Sequence, residues 1–139
     1  IKGQCVFVAR RSVKTKFFNY PKEAKKPLYG LFELYQLDSF PQEVYVCESM
    51  IDCLLLWKNG KFAVALNGLG NELQFQQLRD LPCRVLVLAM DNDDAGWSAR
   101  DRIRKNVSNK LIKDLIIPEG RKDIGECTDE EIQNLEEEF

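Results

Sequence analysis

In VLVLAMDNDDAG, an apolar run over Val85–Met90 stops on Asp91, Asp93 and Asp94, three acids within four residues. A second apolar run, Val44–Cys47, stops on Glu48, with Asp52 four residues further on. A third, LIIP, is followed after a short loop by Asp123 and Glu126. Carboxylates gathered this closely repel, and an unpartnered one has its pKa raised. A divalent cation removes the conflict. The chain has no histidine and no CxxC pair, so the donors are hard oxygens, which suit Mg²⁺ or Mn²⁺ and argue against structural zinc. The i, i+2 spacing of Asp91 and Asp93 lets both side chains lean towards one ion at a strand end while Asn92 points away. Mg²⁺ keeps several waters and bridges protein carboxylates to substrate phosphates. The constellation therefore points to phosphoryl-transfer chemistry on a nucleotide or nucleic acid. His-based catalysis is excluded.

The positioning elements follow from the pattern. Val44–Cys47 reads as a buried strand, and Ser49–Lys58 as a helix with Ser49 as N-cap and Asn59-Gly60 as its stop. Phe62–Leu66 is the next strand, Glu72–Asp80 the next helix, and Arg84–Met90 the third strand. A long helix is expected from about Ala95 to Asn109, with Ala95, Ala99, Ile103 and Val107 in one row. Leu111–Ile117 reads as a fourth strand. Thr128–Glu138 reads as a last helix, with a Thr128/Glu131 capping box and a stripe of Ile132, Leu135 and Phe139. Alternating apolar strands and helices imply an α/β fold, a mostly parallel sheet flanked by helices. Ligands of such sheets sit outside the C-terminal strand ends, where Glu48, Asp91, Asp93 and Asp123 would converge.

Each acid alone reads better as a helix cap: Asp93 or Asp94 for the helix at Ala95, Glu48 for the helix at Ser49. Their joint placement at three strand ends favours a site. Asp52, one turn into the first helix of this unit, takes a supporting role. In ALNGLG, Gly68 and Gly70 permit a tight turn at the same edge, which lets backbone approach a ligand closely, with Asn67 and Gly68 as candidate nucleotide or DNA contacts; a plain turn is the alternative. Arg100 and Arg104 share one helix face; a solvated face is the better reading, tracking of a nucleic-acid backbone the alternative.

The first 41 residues differ from the rest. Cys5–Ala9 and Lys16–Tyr20 read as strands joined by basic loops, and Leu28, Leu31, Phe32 and Tyr35 fall at the spacing of a short helix. DSFPQ, Asp38 to Gln42, marks a boundary, giving a small basic lobe over 1–41 and the α/β unit over 42–139. Eight Lys and Arg against the single acid Glu23 precede Leu28, whereas Glu119–Phe139 carries nine acids against Arg121 and Lys122. A segment bearing Arg10, Arg11, Lys16, Lys25 and Lys26 beside Phe17, Phe18 and Tyr20 suits a phosphate backbone with stacked bases; a solvated hairpin stands equally. The 139 residues are 45% apolar, enough for a core. No run reaches the roughly 18 apolar residues of a membrane span, so a soluble, cytoplasmic protein is expected. The five cysteines suit small buried apolar positions in a reducing compartment. A chain opening on Ile1 reads as a piece of a longer one.

CESMIDCLLLW, then VALNGLG, then LAMDNDDAG resemble the signature of Toprim domains: a glutamate after one strand, a glycine loop after the next, a DxD after the third. KFFNYP followed by KKPLYGLFEL, and PEGRKDIGE after the fourth strand, resemble the corresponding segments of bacterial-type (DnaG-like) DNA primases. The similarity covers about Thr15 to Glu126. It implies the Toprim, Rossmann-like fold and a nucleotidyltransferase that makes short RNA primers on single-stranded DNA from ribonucleoside triphosphates with Mg²⁺ or Mn²⁺. By that resemblance, Asp91, Asp93 and Asp123 hold the metal that grips the incoming triphosphate. Glu48 completes the metal site or acts as general base on the attacking 3′-hydroxyl. Lys16 and Asn19 contact template or nucleotide, and the template lies along the basic lobe. A replicative helicase would be met through regions outside this chain. The zinc module of full primases has no counterpart here. Ile124 stands where the pattern has proline and Gly125 where it has a second aspartate, so one metal ligand is lost or Glu126 substitutes. Two further readings follow: a Toprim nuclease using the same acids on phosphodiesters, and a non-catalytic single-strand-binding module with an incomplete site. The KFFNYP…LYGL segment favours primase over nuclease, and Gly125 favours the binding module.

Overall fold

The computed structural model describes residues 3–14, 18–19 and 24–139. Strands β1 (Arg10–Arg11) and β2 (Phe18–Asn19) form a two-residue antiparallel ladder. Helix α1 (Leu31–Tyr35) follows, then β3 (Glu43–Cys47), α2 (Met50–Lys58), β4 (Ala63–Ala65), α3 (Glu72–Asp80), β5 (Val85–Ala89), α4 (Asp94–Asn106) and β6 (Leu111–Leu115). A 3₁₀ turn over Ile124–Glu126 leads to α5 (Asp129–Gln133) and β7 (Glu137–Glu138). The sheet runs β4-β3-β5-β6-β7. Its first three pairings are parallel and only β6–β7 is antiparallel. This is the expected mostly parallel α/β sheet flanked by helices.

Alternation along the strands builds two cores. Val44, Val46, Val64, Leu86 and Leu88 face Leu34 of α1, Phe75 and Leu78 of α3, and Ala99 and Ile103 of α4. Tyr45, Cys47, Ala63, Ala65, Val87 and Ala89 face Cys53 and Leu56 of α2, Ile124, and Ile132 of α5. β3 and β5 have both faces covered, which is why they read as unbroken apolar runs. Each fully buried leucine contributes about 1.5–3 kcal/mol. Residues ahead of β3 share this core: Leu28 and Leu34 are buried within it, and Tyr29 makes a two-bond antiparallel bridge with Ala65 (2.9 and 3.0 Å).

Three expectations need correction. Cys5–Ala9 is not a strand; no ladder pairs it among the described residues, Val6 is 74% exposed, and the hairpin begins only at Arg10. A short apolar run without a partner strand forms no sheet. Of Lys16–Tyr20, Phe18–Asn19 is strand, while Lys16, Phe17 and Tyr20 lie outside the described residues. The long helix starts at Asp94 and ends at Asn106; its buried row is headed by Gly96, not by the exposed Ala95. The last helix stops at Gln133. The capping box at Thr128 and Glu131 forms as expected, but the chain then turns so that β7 can pair with β6. Phe139 is exposed, with the Lys113 ammonium 5.2 Å from its ring centre, rather than continuing the stripe.

Candidate functional site

Parallel pairing places the acids. Cys47 of β3 is in register with Ala89 of β5, so the chain leaves both strands at the same edge, Glu48 on one side and Asp91 just beyond Met90 on the other. Glu48, Asp91 and Asp93 each offer a carboxylate oxygen within 4.8 Å of the others, and all three residues are half-buried. Among the described residues this is the group of three or more potential ligands that comes together. Glu48 Oε1 and Asp91 Oδ1 are buried with no hydrogen-bond partner. A native fold rarely leaves such atoms orphaned without a functional reason.

The capping reading resolves residue by residue. Ser49, not Glu48, caps α2: its hydroxyl accepts from Asp52 N at 3.2 Å. Glu48 therefore has no capping duty. Asp93 does cap α4, its Oδ1 accepting from Gly96 N at 2.8 Å, and it also belongs to the acid group; a carboxylate has a second oxygen for the second task. Its Oδ2 lies 3.8 Å from Lys122 Nζ. Asp123 caps the 3₁₀ turn by accepting from Glu126 N at 3.0 Å and stands beside the group of three rather than within it. Glu126 turns back on its own loop, accepting from Lys122 N at 2.7 Å.

The electrostatics match an unneutralised acidic cluster. Burial, then the neighbouring charges of Asp91 and Asp93, pushes Glu48 up to about 7. Burial raises Asp91 too, with Asp123 and Asp93 adding to it. Asp52, only 4% exposed, is pushed up to about 6 by burial and then by Asp123 and Asp91, against the opposing pull of the Ser49 hydroxyl and the Gly125 N–H. A Cβ at Gly125 would come to 3.1 Å from Asp123 Oδ1 and 3.3 Å from Asp52 Oδ1. The position lacking the expected second aspartate thus lies between those two carboxylates. Oxygen donors, mutual repulsion and orphaned buried oxygens all fit a hard divalent cation held by Glu48, Asp91 and Asp93.

Sequence reasoning missed three supports. Arg100 is not on a solvated face; it is 4% exposed. Its guanidinium donates to Met90 O at 2.9 Å and Asp91 O at 3.1 Å, pinning the backbone that carries the DxD. Gly96 packs α4 directly over that loop: a Cβ there would fall 1.9 Å from Asp91 O. Lys122 accepts at its carbonyl from Asn92 N at 2.7 Å, joining the loop after β6 to the DxD. The one available signal was spacing, since Gly96, Ala99, Arg100 and Ile103 share the buried side of α4.

The remaining predicted residues belong to other parts of the chain. Lys26 Nζ donates to Asn67 O, burial lowers its pKa, and it sits 3.1 Å from where a Gly68 Cβ would be. Asn67 adopts the left-handed region, with φ 53°, and Gln74 Nε2 holds the loop through Leu66 O at 2.7 Å. Lys26, Asn67 and Gly68 are thus packed on one another at the end of β4. Arg10 and Lys25 are exposed. Arg11 and Asn19 lie in the hairpin ladder, and Lys16 is outside the described residues.

A sheet edge carrying a glutamate, a glycine loop and a DxD after successive strands defines a Toprim fold. The Toprim-like family matches residues 45–128, more than half of the chain, and the chain belongs to that family. The DNA primase of Haemophilus influenzae is 29% identical over 119 residues, covering 78% of this chain and 20% of that protein. The crystal structure of a DNA primase domain from Pseudomonas aeruginosa matches with a TM-score of 0.73 at 27% identity, over 89% of this chain and 42% of that one. The Aquifex aeolicus primase, zinc-binding and RNA polymerase domains, shares the fold with a TM-score of 0.77 at 22% identity, over 98% of this chain and 38% of that one. The chain thus shares its fold with these DNA primase domains, and it spans about a fifth of the curated relative it matches. Among the described residues no helix is long and apolar enough to cross a membrane.

Proposed function

We propose that this chain is the catalytic Toprim core of a DNA primase, joining ribonucleotides into short RNA on a single-stranded DNA template. The observation that carries the reading is the meeting of Glu48, Asp91 and Asp93 within 4.8 Å, with buried oxygens that have no protein partner. Glu48, Asp91 and Asp93 would hold Mg²⁺ or Mn²⁺, with Asp123 close by. Such an ion, when bound, neutralises triphosphate charge and stabilises the developing charge of phosphoryl transfer. Glu48, free of any capping duty, either completes that metal site or accepts the proton of the attacking 3′-hydroxyl as general base. Arg100 and Gly96 keep Asp91 in place. The lobe over 1–41, with Arg10, Arg11, Lys16, Asn19, Lys25 and Lys26, would carry the template, and the unit over 42–139 the chemistry. A replicative helicase would be engaged through regions outside this chain.

Gly125 favours a second reading, a nucleic-acid-binding module whose acidic site is incomplete. Incubating the protein with labelled ribonucleotides, end-labelled single-stranded DNA and Mg²⁺ or Mn²⁺, beside Glu48→Gln, separates the two. Short RNA that disappears in the variant supports primase chemistry. Metal-dependent cutting of the template assigns a nuclease. Intact template bound equally well with and without metal, and no RNA, supports the binding module.

A further inference from the structure

The indole of Trp97 is an exposed aromatic that no core claims. It is 54% exposed in the first turn of α4. Its N–H along the backbone donates to Asp93 O at 3.0 Å, which places it one helical turn from the acid group. One face of the ring is covered by the Arg100 guanidinium, 4.4 Å from the ring centre; the exposed surface is therefore the other face and the edge. Arg100 itself is fixed by Met90 O, Asp91 O and an ion pair to Asp114 at 3.4 Å, so the indole rests on a rigid backing. A cavity of about 250 Å³ opens beside it, walled by Asn92, Trp97, Arg100, Asp114, Ile117 and Glu138. An indole beside Ile117, with the Asn92 amide as a polar group in the same wall, suits a flat heterocycle bearing amino and ring-nitrogen groups; the Asp114 carboxylate is engaged by Arg104 and Arg100. Every nucleobase has a π-face, and stacking on an aromatic is tolerant of base identity.

We propose that Trp97 is a stacking platform for the base of a nucleoside triphosphate whose phosphates are held at Glu48, Asp91 and Asp93. The inference rests on the acidic-site reading above and adds a binding residue to it. A competing role, in which Trp97 only shields Arg100, changes stability without changing ligand affinity.

The test uses two probes in Mg²⁺, followed by calorimetry: ATP, which has a base, and inorganic tripolyphosphate, which has none. Trp97→Ala weakens ATP binding by roughly 5- to 150-fold, the range of one lost base stack, and leaves tripolyphosphate affinity unchanged; Trp97→Phe retains most of the ATP affinity. ATP also quenches tryptophan fluorescence in the parent protein and not in Trp97→Phe, where Trp57 is the remaining indole. If both probes bind the parent protein and Trp97→Ala binds ATP as tightly, the stacking role is overturned while the acidic site stands. If neither probe binds the parent protein, the acidic-site reading fails and the platform fails with it.

Discussion

Asp52 is a buried acid whose charge the metal-free fold pays to keep, and Asp52→Asn should reveal that cost. The residue is 4% exposed, and its pKa moves from 3.8 to about 6, by burial first and by Asp123 and Asp91 next. A shift of roughly two units corresponds to about 3 kcal/mol. The sign follows from linkage: an acid whose folded pKa is raised favours folding while protonated. Its contribution is therefore present below pH 4 and is lost as the pH climbs from about 4 through 6, then stays lost. Asparagine keeps the shape and an accepting oxygen for the Ser49 hydroxyl and Gly125 N–H, and carries no charge. In a metal-free buffer at pH 8 the variant should be more stable by about 1–3 kcal/mol, a Tm increase of roughly 3–10 °C. At pH 4 the two proteins should melt together. Saturating Mg²⁺ should narrow the gap at pH 8, because a nearby cation favours the Asp52 carboxylate. Thermal melts by circular dichroism from pH 4 to 8 measure all three. A variant that is less stable by the same amount at pH 4 and pH 8 would refute the reasoning, since it would make Asp52 a hydrogen-bond anchor rather than a stored charge.

Three further outcomes are expected. Gly96→Ala drives a methyl into Asp91 O, 1.9 Å away; it should cost about 1–3 kcal/mol in urea denaturation and weaken Mg²⁺ binding by calorimetry, whereas Ala95→Gly, at an exposed neighbour, should leave metal affinity unchanged. Arg100→Leu leaves Met90 O and Asp91 O without their donors, and each lost charge-assisted bond is worth about 1.5–3 kcal/mol; denaturation should show a loss of several kcal/mol, and Arg100→Lys should recover only part of it. Glu48→Gln removes a carboxylate whose pKa stands at about 7 without metal, so metal-free Tm should fall less steeply between pH 5 and 8 in the variant than in the parent protein.

Much of this could be read from the chain, and the boundary is physical. β3 and β5 are buried on both faces, so their apolar runs and the acids that end them are local signals, and Glu48, Asp91 and Asp93 were legible together. Helix α2 declared itself by its Ser49 cap; α3 was read without one, and its Asn71–Gln74 capping box emerged only from the structure. β7 did not, because nothing in LEEEF suggests a strand. It forms because β6 offers an open edge and because Glu137 finds the Tyr45 hydroxyl and Lys113, partners remote in sequence. Cys5–Ala9 failed in the opposite way, a good strand pattern with no pairing strand among the described residues. Arg100 was misread because a charged residue on a polar helix is ordinarily solvated; the carbonyls at the end of β5 and the Asp114 carboxylate make its burial favourable. Lys26 read as a ligand contact from its place in a basic run; its donation to Asn67 O, across the chain, could not be read there.

The central claim is that Glu48, Asp91 and Asp93 form one divalent-metal site. Crystals soaked in Mn²⁺ and measured at the manganese edge test it most directly. An anomalous peak bounded by those three carboxylates, absent in Asp91→Asn crystals, is the predicted result. A Mn²⁺ peak lying only elsewhere, or no peak at the three acids in crystals where they are ordered and unblocked, would contradict the account.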